Sequence, residues 1–363
     1  MSLVKEIHKV LNQIAPPELA LSDDPIGLQC GSENQSVESI VVSLDPSLGA
    51  LDFCLSRNSQ LLISHHALIY RPLRTLIWEE VLPLKRAIEH NISVLVAHTN
   101  WDAAPGGIND TLANRLGLVG VSSLGPSSVN PQLKLVTFLP SEYLEEIVDA
   151  LSSAGAGEIG LYRRCAFYHP GTGTYEPQRG SNPMVGNVGS REFVEELRLE
   201  MVLPASKREI VESALLDAHP YDEPAFEFYL LANSPGIGIG RIGQLPSSLS
   251  PFELQNHISD TLTTSVKRYG GCPKVLRVAI VGGSGGDMWQ VAQKAGAHAL
   301  ITGEVRHHEG LAAAESGFCI YEAGHYSTEQ PGMDSLAHRL RESLPDVEVF
   351  VYEPNPGENG RPC

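Results

Sequence analysis

The sequence contains the stretch Gln60-Leu61-Leu62-Ile63-Ser64-His65-His66, a short apolar run that ends in two adjacent histidines. A strand signal at residues 39–43 and a helical segment through Leu55 precede it, and another strand signal follows at 93–97. Short β-rich runs that alternate with helical segments predict parallel strands joined by helical crossovers. Ligands of such sheets bind at the carboxyl ends of the strands, which is where His65 and His66 lie.

The same order of elements recurs further along the chain at a constant offset. Val42 matches Ile280, and Ile63 matches Ile301, in both cases 238 residues later. The matching elements of the second copy are strands at 277–281, 299–302 and 318–321 and a helix at 287–295. The shared offset predicts an α/β fold with a duplicated core of two lobes and parallel-type sheets.

Each copy ends in a histidine that is followed four positions later by an acidic residue. The pairs are His98 with Asp102 and His325 with Glu329. Side chains at positions i and i+4 of a helix share one face, so each pair can act together if the chain is helical there. Adjacent histidines point to opposite faces of a strand, but both can reach one cavity where the strand ends and the chain turns.

These pairs predict a metal site at the carboxyl ends of three strands. Imidazoles suit Zn, Fe, Ni or Cu, and carboxylates can bridge two cations and widen the choice to Mn or Mg. Three or four imidazoles with two carboxylates suit two ions that lie ~3.5–4 Å apart. Each pair alone is more often structural or solvated, so the prediction depends on their matched positions in the repeat.

Two further motifs allow more than one interpretation. The glycine-rich loop at 282–286 follows a strand, as anion-binding loops do, but it lacks the Lys-Ser/Thr ending of a P-loop. A plain tight turn is therefore the favoured interpretation of this loop. The pair His307-His308 is either a surface pair at the start of a helix or a pair that faces the metals or the substrate.

Length and composition indicate a folded protein with more than one domain. The chain has 363 residues, of which 42% are hydrophobic and 19% are charged. No apolar run approaches the ~20 residues of a membrane span, and the N-terminus lacks the apolar region of a signal peptide. We therefore expect a cytoplasmic protein without a membrane partner.

Charge and cysteine usage exclude other classes of function. The net charge of −17 disfavours a nucleic-acid partner, because phosphate backbones are bound by clustered Lys and Arg. The six cysteines are scattered and form no Cys-x-x-Cys motif. We expect them to be reduced and mostly buried, and a cysteine nucleophile is disfavoured.

A self-contained segment separates the two copies. Between residues 133 and 231 the patterns predict strands at 133–138, 198–202 and 225–230, helices at 141–154 and 206–218, and a Gly/Pro/aromatic stretch up to Arg191. Such a removable series predicts an inserted domain. The predicted domains are core lobe 1 at 1–127, the insert at 128–235, core lobe 2 at 236–352 and a disordered tail at 353–363.

Several of these segments resemble the signature motifs of one family, the GTP cyclohydrolase I type 2 family, also known as NGG-one-interacting-factor-three-like proteins. The motifs lie at 61–66, 97–110 and 323–329 in the core, and at 154–160, 171–175 and 219–225 in an insert similar to that of longer bacterial members. The resemblance covers about residues 3 to 352. The chain departs from the family pattern at Asp23-Asp24-Pro25 and at Ala67.

The resemblance implies a duplicated core with a dinuclear site, a ferredoxin-like α+β insert similar to the PII signalling fold, and a homo-hexamer. The implied cofactors are two divalent transition-metal ions per chain, Zn, Fe, Mn or Ni. The implied metal ligands are His65, His66, Asp102, His325 and Glu329. Their implied catalytic neighbours are His98 beside the metals and His308 at the cavity wall.

The function predicted from these features is metal-dependent hydrolysis, in which activated water attacks a small-molecule substrate such as a nucleotide. His98 or His308 would carry protons. The alternative is a non-enzymatic hexamer that stores or delivers metal, or that regulates through an insert sensing a small molecule. A DNA-binding ring is disfavoured by the acidic charge.

Overall fold

The computed structural model describes residues 2–127, 132–160, 162–181, 183–231, 238–355 and 357. The chain divides into two compact units. Unit 1 comprises residues 1–129 and 237–363, and unit 2 comprises residues 130–236. The predicted insert, 128–235, has both of its boundaries at residues outside the described set.

The elements are numbered in chain order. The first segment of unit 1 contains β1 (Ser2–Leu3), α1 (Val4–Ile14), β2 (Gly27–Cys30), β3 (Ser36–Val37), β4 (Ser39–Ser43), α2 (Leu48–Ser56), β5 (Leu61–Ser64), α3 (Leu82–Glu89), β6 (Ser93–Val96), α4 (Thr99–Ala103), α5 (Ile108–Arg115) and β7 (Val119–Ser127). Unit 2 contains β8 (Gln132–Leu139), α6 (Leu144–Ser153), β9 (Ala166–Tyr175), β10 (Glu192–Pro204), α7 (Arg208–Ala218) and β11 (Phe226–Leu230). Unit 1 resumes with β12 (Gly238–Leu249), α8 (Pro251–Leu262), β13 (Lys267–Tyr269), β14 (Val275–Val281), α9 (Trp289–Lys294), β15 (Ala299–Thr302), α10 (His307–Glu315), β16 (Cys319–Glu322), α11 (His325–Ser343) and β17 (Glu348–Val351).

Unit 1 contains the two predicted copies of a parallel β-α-β-α-β arrangement. The five-stranded sheet has the order β17-β4-β5-β6-β2, and the six-stranded sheet has the order β13-β16-β15-β14-β12-β7. The central triplets are parallel, with Ile63 opposite Leu95 and Ile301 opposite Tyr321. The outer strands β2, β7, β12 and β13 pair antiparallel, so the sheets are mixed, whereas the sequence predicted parallel-type sheets.

Both faces of the central strands of the five-stranded sheet are covered, which is why β4, β5 and β6 are fully buried and mainly apolar. Ile40 and Val42 of β4 pack in one core with side chains of α1 and α11. Val41, which points the other way, packs with side chains of α2 and α3. Successive side chains of a strand alternate between faces, and helical crossovers bury both. The buried sheet then leaves its polar residues at the strand ends.

Unit 2 is built on one antiparallel sheet with the order β11-β8-β10-β9. Its element order is βαββαβ, which is that of the ferredoxin-like motif. The predicted strands and helices of the insert are present, and the sequence missed β9. That strand contains Pro170 and Gly173 and, among the described strands, pairs with β10 alone, so it lies at the edge of the sheet, where proline is tolerated. The similarity to the PII fold stays a prediction.

We expect residues 133–231 to fold when they are excised from the chain. Unit 2 has its own core, in which Leu135, Leu199 and Met201 of the sheet pack against Ile147 of α6 and Leu215 of α7. The fragment should give a cooperative thermal melt and dispersed amide signals in an NMR spectrum. A molten or aggregated fragment would show that the core needs the rest of the chain.

Three further predictions concern the cysteines, a membrane span and the C-terminal tail. Of the five described cysteines, all are free thiols, but only Cys54 and Cys319 are buried, so the expectation of mostly buried cysteines is wrong. Among the described residues, none of the helices has the length and apolar character that a bilayer span requires. The predicted disordered tail falls mainly outside the described residues, which include only 353–355 and 357 of it.

Candidate metal centre

Residues from three strand ends converge in unit 1. His65 and His66 directly follow β5, His98 and Asp102 follow β6, and His325 begins α11 after β16. The ligand atoms fall into three groups, each small enough to hold a metal ion. The groups are His65 with His66 and His98, His66 with His325 and Glu329, and His65 with Asp102 and Glu329. All five predicted ligands are therefore together, and His98 lies among them.

Glu329 is central because its two carboxylate oxygens face different partners. Oε1 lies 3.8 Å from Nε2 of His65. Oε2 lies 3.2 Å from Nε2 of His66 and 3.0 Å from Nε2 of His325. Gly283, at φ +60°, passes so close that a Cβ there would overlap Oε1. The glycine therefore leaves the space that the carboxylate occupies.

Each of the four imidazoles is oriented by a contact to its Nδ1 atom. The contacts are His65 to the Ala97 carbonyl at 3.0 Å, His66 to Asp45 at 2.7 Å, His98 to Asp24 at 2.6 Å and His325 to Glu304 at 3.1 Å. A carbonyl or an ionised carboxylate can only accept, so Nδ1 is the donor in each neutral ring. Nε2 then keeps its lone pair, which is the arrangement found in metal-binding histidines.

The centre contains acceptors without donors. Nε2 of His65 and Oδ1 of Asp102 are buried, have no hydrogen-bond partner among the described residues and lie 3.8 Å apart. Nε2 of His66 lies 3.2 Å from Nε2 of His325. Converging lone pairs and carboxylates repel one another unless cations or protons lie between them. The residues present therefore fit divalent metal ions, and the mixture of imidazole and carboxylate suits Zn, Fe, Mn or Ni.

The pKa shifts of the metal-free centre show that it attracts positive charge. Burial opposes ionisation of Glu329, but the surrounding imidazoles hold the pKa of its carboxyl well below the usual range. Burial and the charge of Glu329 both raise the pKa of Asp102. Burial alone would lower the pKa of His66, but Asp45 and Glu329 raise it to about 10. The hydrogen bond with Glu329 raises the pKa of His325 to about 8.

We expect metal binding near pH 7 to release protons. At that pH His66 and His325 are protonated in the metal-free chain, and each must lose a proton before Nε2 can bind a metal. Metal affinity should therefore increase as the pH rises through about 8. Calorimetric titration in two buffers of different ionisation enthalpy measures the released protons. Heats that do not depend on the buffer would contradict this account.

The glycine-rich loop at 282–286 is a tight turn and not an anion site. Three of its amides already donate to side chains. They are Gly282 to Asn109 at 2.7 Å, Gly283 to Thr328 at 3.1 Å and Gly285 to Thr302 at 3.0 Å. These amides cannot also bind a phosphate, so the favoured interpretation of the motif is confirmed.

The structure does not bring His308 to the centre. His308 is exposed on α10, and none of the metal-sized groups among the described residues contains it. The cavity beside the centre is lined by the neighbouring Arg306 and Glu309, and His308 is absent from its described lining. The catalytic role predicted for His308 therefore stays a prediction.

Sequence reasoning missed the carboxylates that orient the histidines. Asp45 follows β4, at the first-copy position equivalent to the glycine-rich loop, and Glu304 follows β15, at the position equivalent to His66. Their positions at strand ends were the available signal. Asp24 had no such signal, because it lies in a loop before β2.

Comparison with known proteins places the chain in a family. The model of the Duf34/NIF3 (NGG1p interacting factor 3) family matches residues 2–356. The chain belongs to the DUF34/NIF3 family. Relatives named GTP cyclohydrolase 1 type 2 homolog include those of Halalkalibacterium halodurans, 33% identical over 95% of both chains, and Mycobacterium leprae, 36% identical over 93% of this chain and 89% of that relative.

Solved structures have the same fold as this DUF34/NIF3 protein. A Bacillus cereus protein related to NIF3 superimposes with a TM-score of 0.81 and 32% identity, covering 98% of this chain and 97% of that chain. A Staphylococcus aureus protein gives a TM-score of 0.80 and 25% identity, covering 98% of both chains. The resemblance seen in the sequence motifs is therefore confirmed for the family, and the mixed α/β fold is shared with these solved structures.

Proposed function

We propose that this DUF34/NIF3 protein is a metal-dependent hydrolase with two divalent transition-metal ions per chain. The observation that carries the proposal is the position of Glu329, whose two oxygens face two different sets of ligands. A carboxylate so placed can bridge two cations. His65 and Asp102 would complete one site, and His66 and His325 the other. Ions held there would supply Lewis acidity, which makes water a nucleophile near neutral pH.

His98 is the residue we propose for proton transfer. Its Nδ1 lies 2.6 Å from Asp24, which also accepts hydrogen bonds from the amide and the hydroxyl of Thr99. Although burial opposes ionisation, these contacts lower the pKa of the Asp24 carboxyl, so it stays charged beside the imidazole. A fixed carboxylate orients the ring. The other ring nitrogen is then available to take or give a proton at the centre.

The site is open to small molecules on one side. The side chains of His66 and His325 are 25% and 32% exposed, whereas His65 is fully buried. Glu304, which contacts His325, also lines a cavity of about 470 Å³ together with Asp287, Arg306 and further carboxylates. A polyphosphate would meet mainly negative charge there, so uncharged nucleosides belong in any substrate panel beside GTP, the nucleotide in the relatives' name.

The proposal is tested by a hydrolysis assay over nucleotides, nucleosides and phosphoesters with metal-loaded protein. Activity should fall as the pH drops through about 8, because protons compete with metal for the Nε2 atoms of His66 and His325. Addition of a chelator should abolish activity, and re-addition of metal should restore it. Wild-type rates no higher than those of Glu329→Gln would contradict an enzymatic function.

The alternative function is non-enzymatic. The protein would then be a hexamer that stores or delivers metal, or that has a regulatory role. This alternative predicts no turnover at any pH and ready exchange of metal through the exposed side of the centre. The hexamer is proposed for either function and can be measured by sedimentation. Failure of turnover combined with full metal occupancy would favour the alternative.

A further inference from the structure

Unit 2 contains a cavity that the metal centre does not use. Its volume is about 400 Å³, which is in the range of small-molecule sites. The lining combines residues of β8, β9 and β10 with the connection between α7 and β11. Two of the three motifs that marked the insert in the sequence, 171–175 and 219–225, contribute to it. Two motifs that are separate in sequence line the same cavity, which is the arrangement expected of a ligand-binding site.

The second motif is held in place by its histidine. Nε2 of the buried His219 lies 3.0 Å from the carbonyl oxygen of Phe138, and Nδ1 accepts a hydrogen bond from the amide of Tyr221 at 3.2 Å. Burial lowers the pKa of His219, which agrees with a neutral ring that donates once and accepts once. The histidine thereby fixes the connection that carries Tyr221 into the lining.

A carboxylate lies inside the cavity, held by both motifs. The hydroxyl of Tyr221 donates to Oε1 of Glu196 at 2.8 Å. Oε2 of Glu196 lies over Gly173, where any Cβ would overlap it. Glycine at this position of an edge strand therefore makes room for the carboxylate. The first motif supplies that space, and the second supplies the hydrogen bond.

The rest of the lining is apolar and aromatic, with negative charge at its rim. Phe138, Tyr175 and Met184 provide ring faces and a thioether, while Asp222 and Glu223 are exposed. The described lining includes no lysine or arginine. Two arginines contact lining residues. Arg191 donates to Thr174 at 2.9 Å and also lies over the ring of Phe193. Arg198 lies over the ring of Phe138 and forms an ion pair with Glu200 at 3.0 Å.

We propose that this cavity binds a small aromatic amine. The ammonium group would contact Glu196, the ring would pack against the aromatic side chains, and the acidic rim would attract the cation. The same charges disfavour phosphates and carboxylates. The proposal concerns unit 2 alone and is independent of the proposed hydrolase activity.

Binding of tyramine to the full chain tests the proposal, with 4-hydroxyphenylacetate and 4-ethylphenol as the anionic and neutral counterparts. Two-dimensional NMR or calorimetry should detect tyramine, a weaker interaction with the phenol and none with the acid. Glu196→Gln keeps an acceptor for Tyr221 but loses the charge, so the tyramine affinity should fall by about tenfold or more. Glu195→Gln is the matched control, because Glu195 contacts Thr172 and is absent from the described lining.

Gly173→Ala provides a second test that retains the charge. The added methyl group would displace the flexible carboxylate of Glu196, so tyramine binding should weaken in a chain that keeps its circular dichroism spectrum. Absence of tyramine binding would overturn the proposal. Equal binding of the acid, or unchanged binding by Glu196→Gln, would also overturn it.

Discussion

Replacing Glu329 with glutamine is expected to remove at least one metal ion from each chain. An amide oxygen is a poor ligand and a poor bridge between cations, and the amide nitrogen cannot bind metal. Because both proposed sites share this carboxylate, its neutralisation affects both. Elemental analysis of the purified variant beside wild type measures the loss.

A matched control lies on the same helix. Glu342 of α11 is exposed and contacts only His338 among the ion pairs of the described residues, so Glu342→Gln should keep full metal content. Unchanged metal in Glu329→Gln would show that the ligand assignment is wrong. Equal loss of metal in both variants would indicate that the substitutions disturb α11, and it would not identify Glu329 as a ligand.

Replacing His98 with alanine is expected to lower turnover by about 10²-fold or more while metal content stays largely intact. The imidazole lies beside the centre, is oriented by Asp24 and is absent from the two groups that contain Glu329. Turnover and metal content of the same preparation separate a proton carrier from a ligand. Loss of metal in His98→Ala would make His98 a ligand through its group with His65 and His66.

His308→Ala is the comparison variant, since the sequence predicted the same role for His308 and the structure places it on the exposed side of α10. We expect its turnover to match that of wild type. A loss in His308→Ala as large as that in His98→Ala would show that the exposed histidine reaches the substrate in a state other than the one described here.

The duplicated core could be predicted because its strands are buried on both faces. Val42 and Ile280, or Ile63 and Ile301, occupy equivalent central strands, and burial demands apolar side chains at each position. The constant offset therefore survives in the sequence. An edge strand such as β9 does not require apolar side chains on both faces. Because β9 also contains Pro170 and Gly173, its sequence pattern did not predict a strand.

The metal ligands could be predicted because they follow these strands directly. The repeat predicts where these strands end, and at those ends lie His65, His66 and the two His-x-x-x-acid pairs. The repeat does not identify which carboxylate orients which histidine. Asp24 lies 74 residues from His98 in sequence, and a single carboxylate in a loop has no periodic pattern that identifies its partner.

Anomalous diffraction from crystals of the metal-loaded protein tests the central claim most directly. Data collected on both sides of the absorption edge of the bound metal locate each ion independently of the protein atoms. We predict two peaks per chain that share Glu329, one beside His65 and Asp102 and the other beside His66 and His325. No peak within bonding distance of Glu329, or a single peak held by other residues, would contradict the two-metal centre.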